Sequence, residues 1–454
     1  MSAISTEQIV VVGGGPAGLA AATSLVRTGA RVLLIDAGER PGGQYWRHHA
    51  ESSLAAKHEE LRIIAHPNVE YLAKTNVWAA TYRDGVSTLH LLMDGKVERE
   101  IRTRTLILAT GAYDRSLPFP GWDLPGVMTA GGVQALLKGQ KSLVGKEIVV
   151  AGTGPFLLPV AIGLIMAGVQ VKAIVEASRP TAWFTKLGAL THNDGKLKDF
   201  VTFQKIIFGA KVKIHYGSAI VAAEGNERVE RVTLAKIDSK FAIKPGSIRQ
   251  IACDSLAVGW GFTPDLSLAT ALGCASQIDP RDGSLVIEVD EHQETSVPGI
   301  YAAGEITGIG GSALALTEGR IAAANVSGAQ TEDLLRLRGK QLIFANALLD
   351  IYRVKHGWTS WQDETTVLCR CEEVSVGDLR KAIVELGVSD LRGAKLLTRA
   401  GMGMCQGRVC GQSVAEFVAK ESGHQITLKD LQGGAKRPVI TPIPLGLLAK
   451  GAER

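Results

Sequence analysis

Four cysteines crowd into the last fifth of a 454-residue chain: Cys369, Cys371, Cys405 and Cys410. Their spacing is C-x-C followed by C-x4-C, two close pairs joined by a longer stretch. Four thiolates arranged in this way make either a four-cysteine zinc site or a [2Fe-2S] cluster. Zinc knuckles favour C-x2-C pairs, so the spacing favours iron and sulfur. Gly401, Gly403, Gly407 and Gly411 suit backbone N–H groups wrapped round cluster sulfurs, where they tune the potential. Cys253 and Cys274 have 20 residues between them and no C-x-x-C, and read as ordinary small core residues. No basic, cleavable leader opens the chain, so the cysteines point to metal or redox chemistry rather than a disulfide scaffold.

A second chemistry lies at the start. Val10-Val11-Val12 runs into Gly13-Gly14-Gly15-Pro16-Ala17-Gly18, and a helix-like run from Leu19 to Val26 follows. Gly13 permits the tight turn, Gly15 lets a pyrophosphate approach the backbone, and Gly18 lets helix pack on strand. The free N–H groups of the helix start then face the phosphates. A second strand, Arg31 to Ile35, ends in Asp36, whose carboxylate suits a ribose hydroxyl pair. The paired glycines of Arg40-Pro41-Gly42-Gly43-Gln44 allow close backbone passage beside a bulky ligand.

These groups need a scaffold, and its elements are legible in order. Leu54 to Ile64 is helix-like, and Val69 to Ala73, Val77 to Tyr82 and Thr88 to Met93 are strand-like, with an Asp94-Gly95 turn closing a hairpin arm. Thr105 to Leu108 reads as a buried parallel strand ending in Ala109-Thr110-Gly111. Arg115 to Gly126, with three prolines, crosses between domains. Ile148 to Leu157 repeats the opening unit and leads to a strand ending at Glu176, but Leu157 replaces the third glycine and should push helix and strand apart. The repeat therefore serves either a second nucleotide or packing and a partner surface. Thr295 to Ala303 is a buried strand ending in Gly304-Glu305, before a helix from Ala313 to Val326; an acid so placed can hold a ribityl or ribose hydroxyl. Asp333 to Arg353 is helical, and Ser375 to Asp378 is a capping box that opens a helix.

The bulk composition agrees with this organisation. A chain that is 46% hydrophobic and 21% charged is a globular protein of two or three domains. A net charge of +5 with no basic, aromatic-rich arm excludes nucleic acid as a partner. The uncharged run from Ile148 to Val171 is long enough to span a bilayer, yet its glycines and prolines split it into strand, turn and helix, so no transmembrane segment is expected.

Gly13 to Gly18, Asp36, Gly42-Gly43-Gln44, Ala109-Thr110-Gly111 and Thr295 to Glu305 together resemble the two-dinucleotide-binding-domain flavoproteins of the glutathione and thioredoxin reductase type. The redox cysteine pair of the disulfide reductases is missing, and Glu305 stands where that family usually has Asp. The cysteine segment resembles the [2Fe-2S] domain related to bacterioferritin-associated ferredoxin, and the tail from Arg437 to Ala449 resembles the ends of the same subunits. In its C-x4-C form that domain is fused to a flavoprotein body in α subunits of heteromeric amine and amino-acid dehydrogenases, such as opine oxidase, D-hydroxyproline and L-proline dehydrogenases, hydrogen cyanide synthase and sarcosine oxidase.

The resemblance implies an α/β fold with two doubly wound Rossmann-like domains and a small α-rich [2Fe-2S] domain. Residues 1–118 and 286–330 would form the FAD domain, 119–285 the inserted domain, 331–364 a helical linker, 365–425 the cluster domain and 426–454 a tail. It implies FAD held by Gly13, Gly15, Pro16, Ala17, Gly18, Asp36, Arg40, Gly43, Gln44, Val77, Ala109, Thr110, Gly111, Gly304 and Glu305, with NAD or ATP replacing FAD in some relatives. It implies the four clustered cysteines as ligands of iron. It further implies a β subunit similar to D-amino-acid oxidase, a small third subunit, an FMN at the subunit interface, and a quinone or other carrier as acceptor. The expected location is cytoplasmic, or peripheral at the membrane face. No substrate acid–base set is evident, and His48, His49, His58 and His66 read as surface or loop histidines.

Overall fold

A computed structural model describes residues 8–49, 52–54, 58–190, 196–437 and 439–451. Strands β1 (Ile9–Val12), β2 (Val32–Ile35) and β3 (Val69–Leu72) come first, with helix α1 (Pro16–Arg27) between β1 and β2. An antiparallel arm follows: β4 (Thr75–Arg83), β5 (Val86–Met93) and β6 (Val97–Thr103). Then come β7 (Leu106–Leu108) and the short crossing strand β8 (Ala112–Asp114). The second unit holds β9 (Val127–Thr129), β10 (Glu147–Gly152), α2 (Leu157–Met166), β11 (Gln170–Glu176) and β12 (Lys213–Tyr216). An antiparallel triple, β13 (Ser218–Glu224), β14 (Arg231–Lys236) and β15 (Arg249–Ala252), precedes β16 (Ser255–Gly259) and the return strand β17 (Phe262–Pro264). β18 (Ser276–Ile278), β19 (Leu285–Ile287), β20 (Ile300–Ala302) and α3 (Ser312–Ser327) complete the first unit, and α4 (Glu332–Tyr352) leads onward.

Two five-stranded sheets result, ordered β20-β7-β1-β2-β3 and β12-β11-β10-β16-β9, and every pairing within them is parallel. Continuous apolar runs suit this because both faces of a doubly wound sheet are covered; all four residues of β2 are buried. The β1–β2 register pairs Val12 with Ile35, which sets Gly13 beside Asp36 at the carboxyl edge of the sheet. Of the helix expected from Leu54 to Ile64, residues 55–57 lie outside the described residues, and a helical turn stands at Glu59–Arg62.

The insert is shorter than the sequence led us to expect. β8 and β17 pair antiparallel, Tyr113 opposite Thr263, and carry the chain out and back. Beyond them Leu266, Leu268, Leu272, Leu285 and Ile287 share one core with Leu89 and Leu91 of the arm and Leu106 of β7. The return therefore falls at β17 rather than at 285, because these apolar side chains are buried by the first unit. The expected linker, 331–364, is also more than a tether. Trp358 and Trp361 are buried in the second unit's core with Trp260 and Phe241, and Trp361 Nε1 donates to Phe241 O at 2.8 Å.

The C-terminal module has a two-stranded ribbon, β21 (Val367–Cys369) and β22 (Val374–Ser375), then α5 (Val376–Leu386), α6 (Leu391–Thr398), α7 (Gly411–Ser422) and α8 (Leu428–Ala435). Ser375 and Asp378 form the expected capping box, each accepting from the other's backbone N–H. Helix α8 packs on β18 and β19, so the module runs past 425 to 435. Leu368, Leu379, Phe417 and Leu431 belong to the same core as Val10, Leu33 and Leu91. Among the described residues no helix is long and apolar enough to cross a membrane.

Candidate functional site

The opening turn is built by backbone proximity. Gly13 has φ +115°, and a Cβ there would lie 2.0 Å from Ala109 O. A Cβ on Gly18 would lie 1.9 Å from Gly13 O, so helix and strand touch. Around Gly15 the same test meets nothing within 4 Å. Helix α1 begins with Pro16, carries no side-chain cap and has no acid in its first turn, so its leading N–H groups face that open side. Gly42 N donates to Gly14 O at 2.7 Å, and a Cβ on Gly43 would lie 2.9 Å from Gly15 Cα, so this second loop folds over the first. Ala17, Ala109, Ala303 and Ala315 pack together behind the turn, and Gly304 passes Ala17 so closely that a Cβ would sit 2.9 Å away. A bare helix start, an open glycine and small walls fit a dinucleotide pyrophosphate.

The other expected cofactor residues have contacts of their own. Asp36 accepts from Gly38 N at 3.1 Å and Tyr71 OH at 3.4 Å. Burial raises its pKa, partly offset by those donors, and burial also pushes the Tyr71 phenol upward. Tyr71 escaped the sequence reading; its only signal was its place on β3, next to β2. Thr110 Oγ1 donates to Asp265 O at 2.7 Å and Asp265 N to Gly111 O at 2.9 Å, which ties the end of β7 to the return strand. Glu305 accepts from Gly310 N at 3.3 Å and Gly311 N at 2.9 Å, ahead of α3. Gly304 N donates to the buried Glu318, which pairs with Arg338. Gln44 accepts from Arg47, Arg40 lies 3.7 Å from Glu39, and the Val77 carbonyl on the arm accepts from Thr441 of the tail.

The second turn is engaged by its own acid, although a Cβ on Gly154 would, as at Gly15, meet nothing within 4 Å. Helix α2 starts at Leu157, two residues later than α1 does in its own turn. Leu157 lies over Gly259, where a Cβ would meet its Cδ2 at 3.2 Å. The Glu176 carboxylate accepts from Gly154 N at 3.0 Å, Ser178 N at 2.8 Å and Thr153 Oγ1 at 3.1 Å. Burial pushes Glu176 up to about 7 despite those donors. The end of α4 covers the next loop: Ser178 Oγ donates to Ile351 O at 2.9 Å and Trp183 Nε1 to Tyr352 OH at 3.2 Å. The N–H that a second phosphate would need is thus held by a protein carboxylate.

The four cysteines lie on neighbouring loops. Thiol contacts link Cys369 to Cys410, Cys410 to Cys405 and Cys405 to Cys371. Gly401 N approaches Cys369 Sγ at 3.4 Å, and the N–H groups of Glu372 and Cys371 also face it. Val409 and Gly407 N–H groups face Cys405, and the Cys405 N–H faces Cys371. The loops wrap tightly: Gly401 and Gly407 have φ +83° and +78°, and a Cβ on Gly403 would meet Cys371 Cβ at 2.2 Å. The Cys410 contact and the surrounding N–H groups pull Cys369 down to about 6 and Cys405 to about 5. Cys410 is pushed the other way by its contacts with Cys369 and Cys405 and by burial, and burial raises Cys371. Four converging thiols within a ring of N–H donors fit iron–sulfur ligation. Cys253 and Cys274 are buried elsewhere, and burial raises both, Cys253 to about 11.

Comparison with known proteins agrees with both halves. The pyridine nucleotide-disulphide oxidoreductase family matches residues 7–331, and the BFD-like [2Fe-2S] binding domain matches 367–420. Hydrogen cyanide synthase subunit HcnB of Pseudomonas aeruginosa is 32% identical, over 96% of this chain and 97% of that protein. An opine oxidase subunit of Agrobacterium tumefaciens is 31% identical, over 97% of this chain and 91% of that protein. The crystal structure of L-proline dehydrogenase from P. horikoshii superposes with TM-score 0.68 at 21% identity, over 97% of this chain and 79% of that one, which is a likeness of fold. The chain therefore belongs to the pyridine nucleotide-disulphide oxidoreductase family, as an oxidoreductase with an FAD-type dinucleotide domain and a C-terminal BFD-like [2Fe-2S] domain.

Proposed function

We propose that this chain is the electron-relay α subunit of a heteromeric dehydrogenase or oxidase that works on an amine, imino acid or opine-type amino acid. The observation that carries the reading is the convergence of Cys369, Cys371, Cys405 and Cys410 on a module that shares its core with the nucleotide domain. When bound, FAD exchanges electrons in pairs or singly, whereas a [2Fe-2S] cluster exchanges them one at a time. Gly13, Gly15, Pro16, Ala17 and Gly18 would seat the dinucleotide pyrophosphate, Asp36 and Glu305 its hydroxyls, and the four cysteines the iron. Substrate chemistry would belong to a β subunit similar to D-amino-acid oxidase, with an FMN between the subunits and a small third chain. The complex would lie in the cytoplasm or peripherally at the membrane face.

Purification from the native host tests this reading. The expected preparation holds a second flavoprotein chain and about two irons per relay chain, with a rhombic EPR signal on reduction. Dye reduction by an amino-acid or opine donor is expected from the complex only. A chain that oxidises an amine unaided, or carries stoichiometric zinc and no iron, overturns it. A stand-alone NAD(P)H-dependent reductase is the competing reading, and the bond from Gly154 N to Glu176 weighs against it. Rapid flavin bleaching by NADH in the isolated chain would restore that alternative.

A further inference from the structure

Two arginines meet beside the Cys405 loop. Arg408 donates through Nη2 to Ser267 Oγ at 2.9 Å and to Ile440 O at 2.6 Å, and through Nη1 to Cys405 O at 3.4 Å. Arg437, just past α8, donates through Nη1 to the same Ser267 Oγ at 3.0 Å and through Nε to Gln406 O at 2.8 Å. One hydroxyl thus accepts from two guanidinium groups, and its own proton goes to Asp265 Oδ1 at 2.6 Å. Asp265 Oδ2 stands 3.8 Å from Arg408 Nε. The nucleotide cradle holds this segment from the other side, because Thr110 Oγ1 donates to Asp265 O at 2.7 Å.

The charges of this set do not balance. Two cations share one carboxylate, and both sit partly out of water: the Arg408 side chain is 19% exposed and Arg437 is half-buried. Arginine keeps its proton in such a setting, so one positive charge is left over. Burial, and then Arg408, disfavour the Arg437 cation, whereas Tyr113, Asp265 and Cys405 favour it. Other arginines of the module are matched: Arg399 pairs with Glu372 at 2.7 Å and Arg380 with Glu421 at 2.9 Å. Like charges gathered out of water cost stability unless an anion lies close. The cysteine loops supply that anion once iron is bound, since thiolates and sulfides outweigh the charge of the irons, and reduction adds one negative charge more.

We propose that Arg408 and Arg437 set the reduction potential of the [2Fe-2S] cluster, holding it above the value the cysteine loops alone would give. The inference rests on the relay reading and adds a reason for electrons to leave the flavin for the cluster. One electron passes, no bond forms or breaks, and both guanidinium groups keep their protons. The added electron is held more firmly beside an uncompensated cation than without it.

Redox titration of the iron-loaded full chain, followed by its EPR signal, tests this. Arg437→Gln keeps a donor for Gln406 O and removes the charge. It should weaken reduction about tenfold, which is about 59 mV for one electron. Asp265→Asn removes the shared acid and should favour reduction by a similar factor. Arg437→Lys should stay within about threefold of the wild type, and so should Arg399→Gln, whose charge is exposed and paired. Opposite shifts from Arg437→Gln and Asp265→Asn mark an effect of charge, because a loosened loop would not move the midpoint both ways. Midpoints that stay put or move the same way overturn the proposal. Loss of iron from Arg437→Gln also overturns it, by making Arg437 a brace for the loop. An intact wild-type cluster with unmoved variant midpoints sinks this inference alone. A wild-type chain without iron sinks the relay reading, and this inference with it.

Discussion

Arg115 and Glu416 form a buried ion pair across 301 residues of chain. Arg115 lies just past the crossing strand β8, and Glu416 lies in the middle of α7, in the cysteine module. The carboxylate also accepts from Trp358 Nε1 at 3.0 Å and Gln412 Nε2 at 3.1 Å. Ser413 Oγ donates to Ser116 O at 2.6 Å one turn away. Crossing, linker and module thus meet at one carboxylate.

Breaking that pair from one side should be costly, because the other charge stays buried. Glu416→Ala is expected to destabilise the chain by about 3–5 kcal/mol, seen as a lower urea midpoint. The double variant Arg115→Met/Glu416→Leu should lose much less, since it removes both charges.

The sulfur site gives a sharper contrast. Cys369→Ser or Cys410→Ser should leave little iron and no rhombic EPR signal. Cys253→Ala and Cys274→Ala, buried elsewhere, should keep the wild-type iron content by metal analysis.

Two glycines of the opening turn should separate folding from binding. Gly18→Ala drives a methyl into Gly13 O and should destabilise the apoprotein. Gly15→Val points into open space with φ −81°, which any residue adopts, so the apoprotein should melt normally. Its flavin absorbance after purification should nevertheless fall severalfold, because the side chain occupies the approach to the backbone.

Glu176 makes stability depend on pH. Its folded pKa is raised from 4.5 to about 7, so its contribution is fully present below 4.5 and is lost as pH rises through about 7. Relative to Glu176→Gln, the wild type should lose about 3 kcal/mol between pH 4.5 and 8, measured by urea unfolding at several pH values. A constant difference across that range would refute the assignment.

The legible parts of the chain were those with local physics. Val10 to Gly18 announces strand, turn and helix, because apolar runs and glycines act within a few residues. Ser375 and Asp378 announce a helix start for the same reason. Leu157 marked the second turn as different from the first, but nothing announced that α2 would start late or that Glu176 would fold back onto Gly154 N. The end of the insert was misplaced because Leu266 and Leu285 show the same hydrophobicity in either domain, and only packing against Leu89 and Leu91 assigns them. Tyr71, Arg115 and Glu416 were invisible as site residues, since their partners lie far away in sequence.

The seam between module and first unit sets how this protein can be taken apart. A chain cut after residue 330 would keep every glycine of its nucleotide cradle, yet β18 and β19 would lose α8, which packs on them, and the arm would lose the bond from Ile440 N to Trp78 O. The iron half is therefore no detachable cassette. Grafting it onto another flavoprotein would require transplanting β18 and β19 as well, and trimming it away would leave a greasy wound rather than a smaller enzyme.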